Sequence, residues 1–149
     1  GYGPLAEGVV KEATNTENII YLGFVNPRDI PLYTCLSDAV LYGFDPRNPN
    51  AKYSAPNKLF EALAAGKAII TGDFGEIGKI VKEEACGIVL NDCSVNAWGR
   101  AFDLLSLNSR LKQYQTNALW AARRRYNWNK AEAVLIAEYY ELSQSIKRM

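Results

Sequence analysis

Histidine is absent from all 149 residues of this chain. A mechanism that depends on a histidine base, a Ser-His-Asp triad or a histidine metal ligand therefore cannot be completed from this chain alone. The three cysteines, Cys35, Cys86 and Cys93, are an odd number without a Cys-x2-Cys spacing, which argues against a disulfide framework and a structural zinc site. We interpret them as packing residues in a reducing compartment.

A large net charge and long apolar runs are lacking as well. With 17 Lys and Arg against 16 Asp and Glu, the net charge of +1 gives no general attraction to nucleic acid. The triplet Arg123–Arg125 is interpreted as a solvated helix C-terminus. No apolar run approaches the roughly 20 residues that span a bilayer, and no secretory signal pattern is present. With 48% hydrophobic residues, we expect one globular domain over residues 1–149.

Short apolar runs alternate with segments of helical periodicity along the chain. We predict strands at 18–22, 39–42, 68–71 and 87–90, and helices at about 5–14, 28–36, 55–65, 76–84, 92–107, 109–125 and 130–146. Residues 43–53 are predicted to be a polar loop, and Ser94 is predicted to cap the helix 92–107. This alternation predicts an α/β fold, a Rossmann-like doubly wound parallel sheet with helices on both faces.

The most distinctive segment runs from residue 53 to residue 72. Ser54 or Ala55 is the expected N-cap of its helix, Pro56 has a φ suited to the first turn, and Gly66 is the expected stop. At about 100° per residue, one face of this helix is apolar and should pack on the sheet, while the other is polar and can line a cleft. The apolar face holds Pro56, Leu59, Phe60 and Leu63, and the polar face holds Asn57, Lys58 and Glu61.

The polar face suits a nucleotide. The N-terminus of a helix offers free N–H groups and a partial positive charge to a phosphate, and Lys58 adds a full charge. One turn further on, Glu61 can accept hydrogen bonds from two ribose hydroxyls, because an ionised carboxylate has two acceptor oxygens. The alternative is that Lys58 and Glu61, three positions apart, form only a surface ion pair worth roughly a few tenths of a kcal/mol.

The run from Ser54 to Ile70, Ser-Ala-Pro-Asn-Lys-Leu-Phe-Glu-Ala-Leu-Ala-Ala-Gly-Lys-Ala-Ile-Ile, resembles the donor-binding helix of family 4 (group 1) glycosyltransferases, which have the GT-B fold. Members of that family carry a Glu-x7-Glu motif. Glu61 matches the second glutamate, which in the family holds the donor ribose. The first, which in the family contacts the transferred sugar, falls at Tyr53, where this chain has no carboxylate.

Three other segments bear on the resemblance. Gly1-Tyr-Gly-Pro4 resembles the turn that closes the second strand of the family's C-terminal domain. Leu22-Gly-Phe-Val25 resembles a step whose backbone borders the nucleotide base, with the alternative that Phe24 is core and Gly23 a turn glycine. Residues 75–79 depart from the family's Gly-Gly-x-Pro-Glu turn, because Lys79 stands at the glutamate position.

On this likeness the chain begins after the second strand of a domain whose strand order is 3-2-1-4-5-6. We expect the missing strands to belong to a longer polypeptide. Two alternatives are that a partner chain supplies them, or that strand 18–22 moves beside strand 39–42.

The resemblance implies the nucleotide-sugar-binding half of a two-domain enzyme, with residues 126–149 as the closing helix. Such an enzyme transfers a sugar from a UDP- or GDP-sugar to a glycan or lipid-linked acceptor, as in polysaccharide biosynthesis, with retention and without a metal or other cofactor. The acceptor would bind the absent N-terminal domain, so the isolated chain is expected to be inactive. No catalytic residue is implied. The implied donor-binding residues are Glu61, Lys58, Asn57, Pro56, Ala55, Ser54, Tyr53, Gly23, Phe24 and Val25.

Further expectations concern partners and alternatives. We expect no nucleic-acid partner, a homo-oligomer if the chain is complete, and a location in the cytoplasm or at the inner face of a membrane. One alternative function is a GT-B nucleotide-sugar epimerase, against which the lack of histidine counts. The other is a non-catalytic nucleotide-binding or assembly module.

Overall fold

The computed structural model describes residues 1–43 and 49–146. The chain divides into two compact units, Gly1–Tyr33 and a second that begins at Thr34. The first unit contains helix α1 (Ala6–Asn15) and the start of α2 (Ile30–Leu36). The second unit carries the sheet.

The sheet has three described strands, β1 (Ala39–Tyr42), β2 (Ala68–Gly72) and β3 (Gly87–Leu90), in the order β1-β2-β3. Both pairings are parallel. Two helices, α3 (Pro49–Tyr53) and α4 (Asn57–Ala64), lie between β1 and β2, and α5 (Gly75–Glu83) lies between β2 and β3. The chain continues through α6 (Val95–Ser106), α7 (Asn108–Arg124) and α8 (Trp128–Ile146).

Both faces of the sheet are covered, and every residue of β2 is buried. Ile69 packs on one face with Leu59 and Leu63 of α4, while Ile70 packs on the other face with Ala97 of α6. Alternate residues of a strand point to opposite faces, so a strand that is apolar throughout is typical of a parallel sheet covered on both sides. The structure confirms the predicted fold class.

The predicted stop of α4 is confirmed. Gly66 has a φ of +63°, and its N–H donates to the Leu63 carbonyl at 3.0 Å. The N–H of Lys67 donates to the Ala62 carbonyl at 2.9 Å. These two bonds form a Schellman motif, which requires the left-handed conformation that glycine adopts without strain.

The predicted cap of α4 is wrong. Pro56 is the N-cap residue, with an extended ψ of 143°, and no side chain that the structure describes caps the helix. The Ser54 hydroxyl oxygen is buried and has no hydrogen-bond partner among the described residues, so it does not cap α4. In contrast, Ser94 caps α6 as predicted, because its Oγ accepts from the Ala97 N–H at 3.2 Å.

Two other predictions fail. Residues 18–22 do not form a strand, and Ile20 and Leu22 are exposed. A short apolar run becomes a strand only where a neighbouring strand meets its N–H and C=O groups. Residues 49–53 form α3 instead of loop, with Pro49 at its first position, where proline is favoured. The rest of that predicted loop, from residue 44 to residue 48, lies outside the described residues.

None of the described helices combines the length and the apolar content needed to cross a membrane.

Candidate functional site

Polar and aromatic side chains gather where the strands end. Parallel strands finish at the same edge, and here Tyr42 ends β1, while Asp73 and Phe74 follow β2 directly. Both α4 and α5 begin on this side, because each helix leads from the end of one strand back to the start of the next. Open α/β sheets bind ligands outside this edge.

The start of α4 has unused hydrogen-bond donors. The Leu59 N–H donates to the Pro56 carbonyl at 2.9 Å. Within the described part of the chain, the N–H groups of Asn57 and Lys58 have no acceptor, and no side chain caps them. Free N–H groups at the positive end of a helix dipole favour an anion.

Lys58 lies over an aromatic ring. Its Nζ is 5.1 Å from the centroid of the Tyr42 ring, and that ring is 6.3 Å from the ring of Phe74. A cation over an aromatic face gains roughly 0.5–1 kcal/mol at an exposed site. The ammonium group is thereby held near the end of β1 while remaining accessible.

The carboxylate of Glu61 is exposed and has no ion-pair or hydrogen-bond partner among residues 1–43 and 49–146. The surface ion pair between Lys58 and Glu61 is therefore not formed in this conformation. On the opposite face of α4, Leu59 and Leu63 are buried as predicted. Phe60 is partly buried, with its ring 6.1 Å from that of Tyr126. The polar face of α4 is thus separate from its packing face.

The other predicted residues lie in two places. Tyr53, at the end of α3, is 77% exposed, and Ala55 is exposed as well. Ser54 is only partly exposed, and its hydroxyl oxygen has no partner in the described residues. The segment from residue 53 to Glu61 therefore brings seven of the predicted residues to the start of one helix.

Gly23, Phe24 and Val25 belong to the first unit. Gly23 has a φ of +66°, as expected of a turn glycine. Phe24 is 67% exposed and pairs with the ring of Tyr2 at 6.0 Å, so it is not a core residue in this unit.

The groups around the end of β2 were not predicted from the sequence. Lys82 forms an ion pair with Asp73, with Nζ to Oδ2 at 2.6 Å, and Lys79 lies 3.8 Å from a carboxylate oxygen of Glu76. An open cavity of about 470 Å³ is lined by Asp73, Phe74, Gly75, Lys79, Lys82 and Glu83. Lys79 and Lys82 thus both border this cavity.

The thiols differ in exposure. Cys35 and Cys93 are exposed, whereas Cys86 is fully buried. Burial raises the pKa of the Cys86 thiol from an ordinary 9.0 to about 12, since the thiolate would lose its hydration. No group of three or more acidic, cysteine or histidine side chains in the described ranges is arranged to hold a metal ion.

We expect Cys86 to make the fold sensitive to alkali. Its pKa is raised on folding, so the contribution of the buried thiol to the free energy of unfolding is complete below pH 9. That contribution is lost as the pH rises toward 12. The free energy of unfolding should fall by up to about 1.4 kcal/mol per pH unit in that window. Urea titrations from pH 7 to about pH 10.5 measure this slope. Cys86→Ala should reduce it, whereas Cys35→Ala should not. Equal slopes in the parent and Cys86→Ala would contradict the prediction.

The profile of the glycosyl transferases group 1 family matches residues 5–119. Spore coat protein SA of Bacillus subtilis (strain 168) is 25% identical over 129 residues, which cover 85% of this chain and 33% of that protein. A sucrose-phosphate synthase from Thermosynechococcus elongatus has a similar fold, with a TM-score of 0.68 and 18% identity over 95% of this chain and 34% of that one. The chain spans about a third of the length of both.

Proposed function

Because this chain belongs to the group 1 glycosyltransferases and is similar to their C-terminal domain, we propose that it binds the nucleotide-sugar donor of a sugar-transfer reaction. The observation that carries this proposal is the start of α4. Two N–H groups without an acceptor among the described residues and Lys58 lie at one end of its polar face, and the carboxylate of Glu61, also without a described partner, lies one turn further on. A diphosphate and a ribose carry the complementary groups in the same order.

The separation of these groups is compatible with one ligand. Residues three apart on a helix are displaced by about 4.5 Å along its axis and lie on neighbouring parts of its surface. A nucleotide that places its diphosphate at the N-terminus of α4 can therefore reach Glu61 with its ribose. Pro56, Ala55, Ser54 and Tyr53 would border the diphosphate and the sugar.

The proposed chemistry uses electrostatic stabilisation of the leaving group. When the bond between the sugar and the diphosphate breaks, negative charge develops on the diphosphate oxygens. The N–H groups of Asn57 and Lys58 and the Lys58 ammonium group would stabilise that charge. We propose that this stabilisation proceeds without a metal and that the acceptor hydroxyl attacks from a separate domain, with retention of configuration. No residue of this chain is proposed as the base.

Calorimetric titration with UDP, GDP and ADP tests the proposal. We expect saturable binding of at least one nucleoside diphosphate, with weaker binding of the matching nucleoside. If none of the three binds at about millimolar concentration, a Kd range that corresponds to about −4 kcal/mol, while circular dichroism shows folded protein, the proposed function is wrong.

Lys58→Ala should reduce UDP affinity much more than uridine affinity. Uridine has no charged group that the Lys58 ammonium group could bind. A charge-assisted hydrogen bond to a phosphate of UDP is worth roughly 1.5–3 kcal/mol. Titrations of both ligands with the parent and the variant measure the difference. Lys112→Ala, at an exposed position of α7, is the control and should change neither affinity. Equal losses for UDP and uridine would show that Lys58 does not contact the diphosphate.

A second candidate function is a nucleotide-binding module without catalysis. The observation in its favour is Tyr53, whose exposed ring occupies the position that the resemblance equates with the sugar-contacting glutamate. The two functions differ in one measurement on a protein that includes the acceptor domain. Nucleotide binding without turnover of any UDP- or GDP-sugar would favour the module, and release of nucleoside diphosphate would favour the enzyme.

A further inference from the structure

The ring of Phe74 folds back over the end of β2. The chain turns sharply after Gly72, because the N–H of Phe74 donates to the Gly72 carbonyl at 3.0 Å across a γ-turn. The N–H of Asp73, in the middle of this turn, donates to the Leu90 carbonyl at 3.0 Å. The backbone that carries the ring is therefore tied to both β2 and β3.

Gly72 leaves the space that this ring occupies. A Cβ at position 72 would lie 2.5 Å and 2.8 Å from two carbon atoms of the Phe74 ring, and 3.3 Å from Sγ of Cys93. Both carbon distances are well below the roughly 3.5–4.0 Å of an ordinary carbon contact, so a side chain at position 72 would displace the ring. The displaced atoms belong to a side chain, so the ring can move without breaking the hydrogen bonds of the sheet.

The Phe74 ring in turn borders the ring of Tyr42. The two ring centroids are 6.3 Å apart and the planes are inclined at 47°, a separation at which aromatic rings attract each other. Tyr42 is the last residue of β1 and pairs with Thr71 of β2, which fixes its backbone. A side chain at the end of a strand can occupy several rotamers, and a neighbouring ring reduces their number.

The Tyr42 ring lies beneath the ammonium group of Lys58, with Nζ 5.1 Å from the ring centroid. A lysine side chain loses rotamer freedom when it binds a phosphate, and a side chain that is already restricted loses less. The ammonium group has three N–H donors, so it can bind an anion while one side faces the ring. Three contacts thus connect Gly72 with the cation that we propose binds the diphosphate.

We propose that Gly72 is a positioning residue for Lys58 and acts through Phe74 and Tyr42. Gly72 does not touch the nucleotide. Its missing side chain lets the Phe74 ring hold the Tyr42 ring beneath the ammonium group. This role rests on the proposed nucleotide binding, and it adds to that site a residue of β2, which is outside α4. A larger residue at position 72 therefore weakens the binding of a ligand that carries phosphate and leaves the binding of the nucleoside unchanged.

Gly72→Ala should raise the Kd of UDP about two- to fivefold, the range for the loss of a contact between a cation and an aromatic ring. The Kd of uridine should not change, because uridine has no phosphate. Calorimetric titration measures both constants. Gly99→Ala is the matched control and should change neither, because nothing lies within 4 Å of its added Cβ. An unchanged Kd for UDP in Gly72→Ala, or equal increases for UDP and uridine, overturns the proposal.

Two substitutions of Tyr42 test whether the ring is the group that acts on Lys58. Tyr42→Leu removes the ring and should give the same loss of UDP affinity as Gly72→Ala. Tyr42→Phe keeps the ring and should retain the parent Kd to within about twofold. If Tyr42→Phe loses as much affinity as Tyr42→Leu, the hydroxyl group and not the ring acts on Lys58, and the proposal is wrong.

A double variant separates positioning from the clash itself. Phe74→Leu alone should lower UDP affinity as much as Gly72→Ala, and Gly72→Ala/Phe74→Leu should lower it no further, since both changes remove the same support from the Tyr42 ring. Urea unfolding of each variant confirms that the protein is folded. Additive losses of affinity would show that Gly72 and Phe74 act independently, which contradicts the proposal.

A measurement without nucleotide separates this proposal from the proposed function. Side-chain protons of Lys58 that lie over the Tyr42 ring are shifted upfield in the NMR spectrum by the ring current. Tyr42→Leu should abolish this shift, and Gly72→Ala should reduce it. If the parent binds no nucleotide but Gly72→Ala reduces the shift, the proposed function is wrong and Gly72 still positions Lys58. An unchanged shift in Gly72→Ala overturns the positioning role.

Discussion

Gly87→Ala should leave the chain largely unfolded. Gly87 begins β3 and pairs with Ile69 of the fully buried strand β2. A Cβ at this position would lie 1.9 Å from the carbonyl oxygen of Ile69 and 2.7 Å from its carbonyl carbon. Those atoms belong to the backbone of the central strand, so they cannot move aside without breaking the ladder. We expect a loss of more than about 4 kcal/mol, which approaches the 5–15 kcal/mol total stability of a typical domain.

Urea unfolding followed by circular dichroism measures this loss. Gly99→Ala is the matched control, because Gly99 lies inside α6 and nothing approaches its added Cβ within 4 Å. An alanine there should stabilise the protein by roughly 0.5–1 kcal/mol, the ordinary helix preference for alanine over glycine. If Gly87→Ala unfolds within about 1 kcal/mol of the parent, then β2 and β3 do not pair as described.

Glu61→Ala should weaken nucleoside diphosphate binding by roughly 1.5–3 kcal/mol, about 10- to 150-fold in Kd. As the proposed ribose partner, Glu61 is the one carboxylate of α4, and its two oxygens would accept hydrogen bonds from the ribose hydroxyls. The same substitution should hardly change the free energy of unfolding, because the side chain is exposed and unpaired among the described residues. Loss of affinity without loss of stability is the expected signature.

Calorimetry with UDP or GDP, together with urea unfolding, separates the two effects. Glu12→Ala removes an exposed glutamate from α1 and should leave the affinity unchanged. An unchanged Kd in a folded Glu61→Ala protein would show that Glu61 does not bind the nucleotide. It would not by itself disprove nucleotide binding, which the titration of the parent protein decides.

Local signals predicted the second unit well. Strands 39–42 and 87–90 have the predicted bounds, since each is a short apolar run beside a turn residue. The stop at Gly66 was equally predictable, because a left-handed position selects glycine. These features depend on a few adjacent residues.

The features that were predicted wrongly or not at all depend on residues that lie far apart in the sequence. Residues 18–22 have the composition of a strand, but composition does not show whether another strand is available to pair with them. The contact between Lys58 and the ring of Tyr42 joins residues 16 positions apart, and an open cavity between α4 and α8 is lined by both Phe60 and Trp128. Periodicity on one element does not reveal such contacts. The polar face of α4 was predictable, whereas the aromatic groups beside it were not.

None of the 19 residues of α8 is buried, although eight of them carry large apolar or aromatic side chains, and this exposure has a consequence for local unfolding. Most helical stability in proteins comes from packing, and isolated helices of about 12–15 residues are marginal in water. Helix α8 therefore draws little stability from the sheet, and its backbone hydrogen bonds should open far more often than those of β2, which break only in global unfolding. Any surface that covers the apolar side of α8 would suppress that opening. The rate of amide hydrogen exchange along α8 would then report whether that side is covered, although its sequence and the rest of the fold are unchanged.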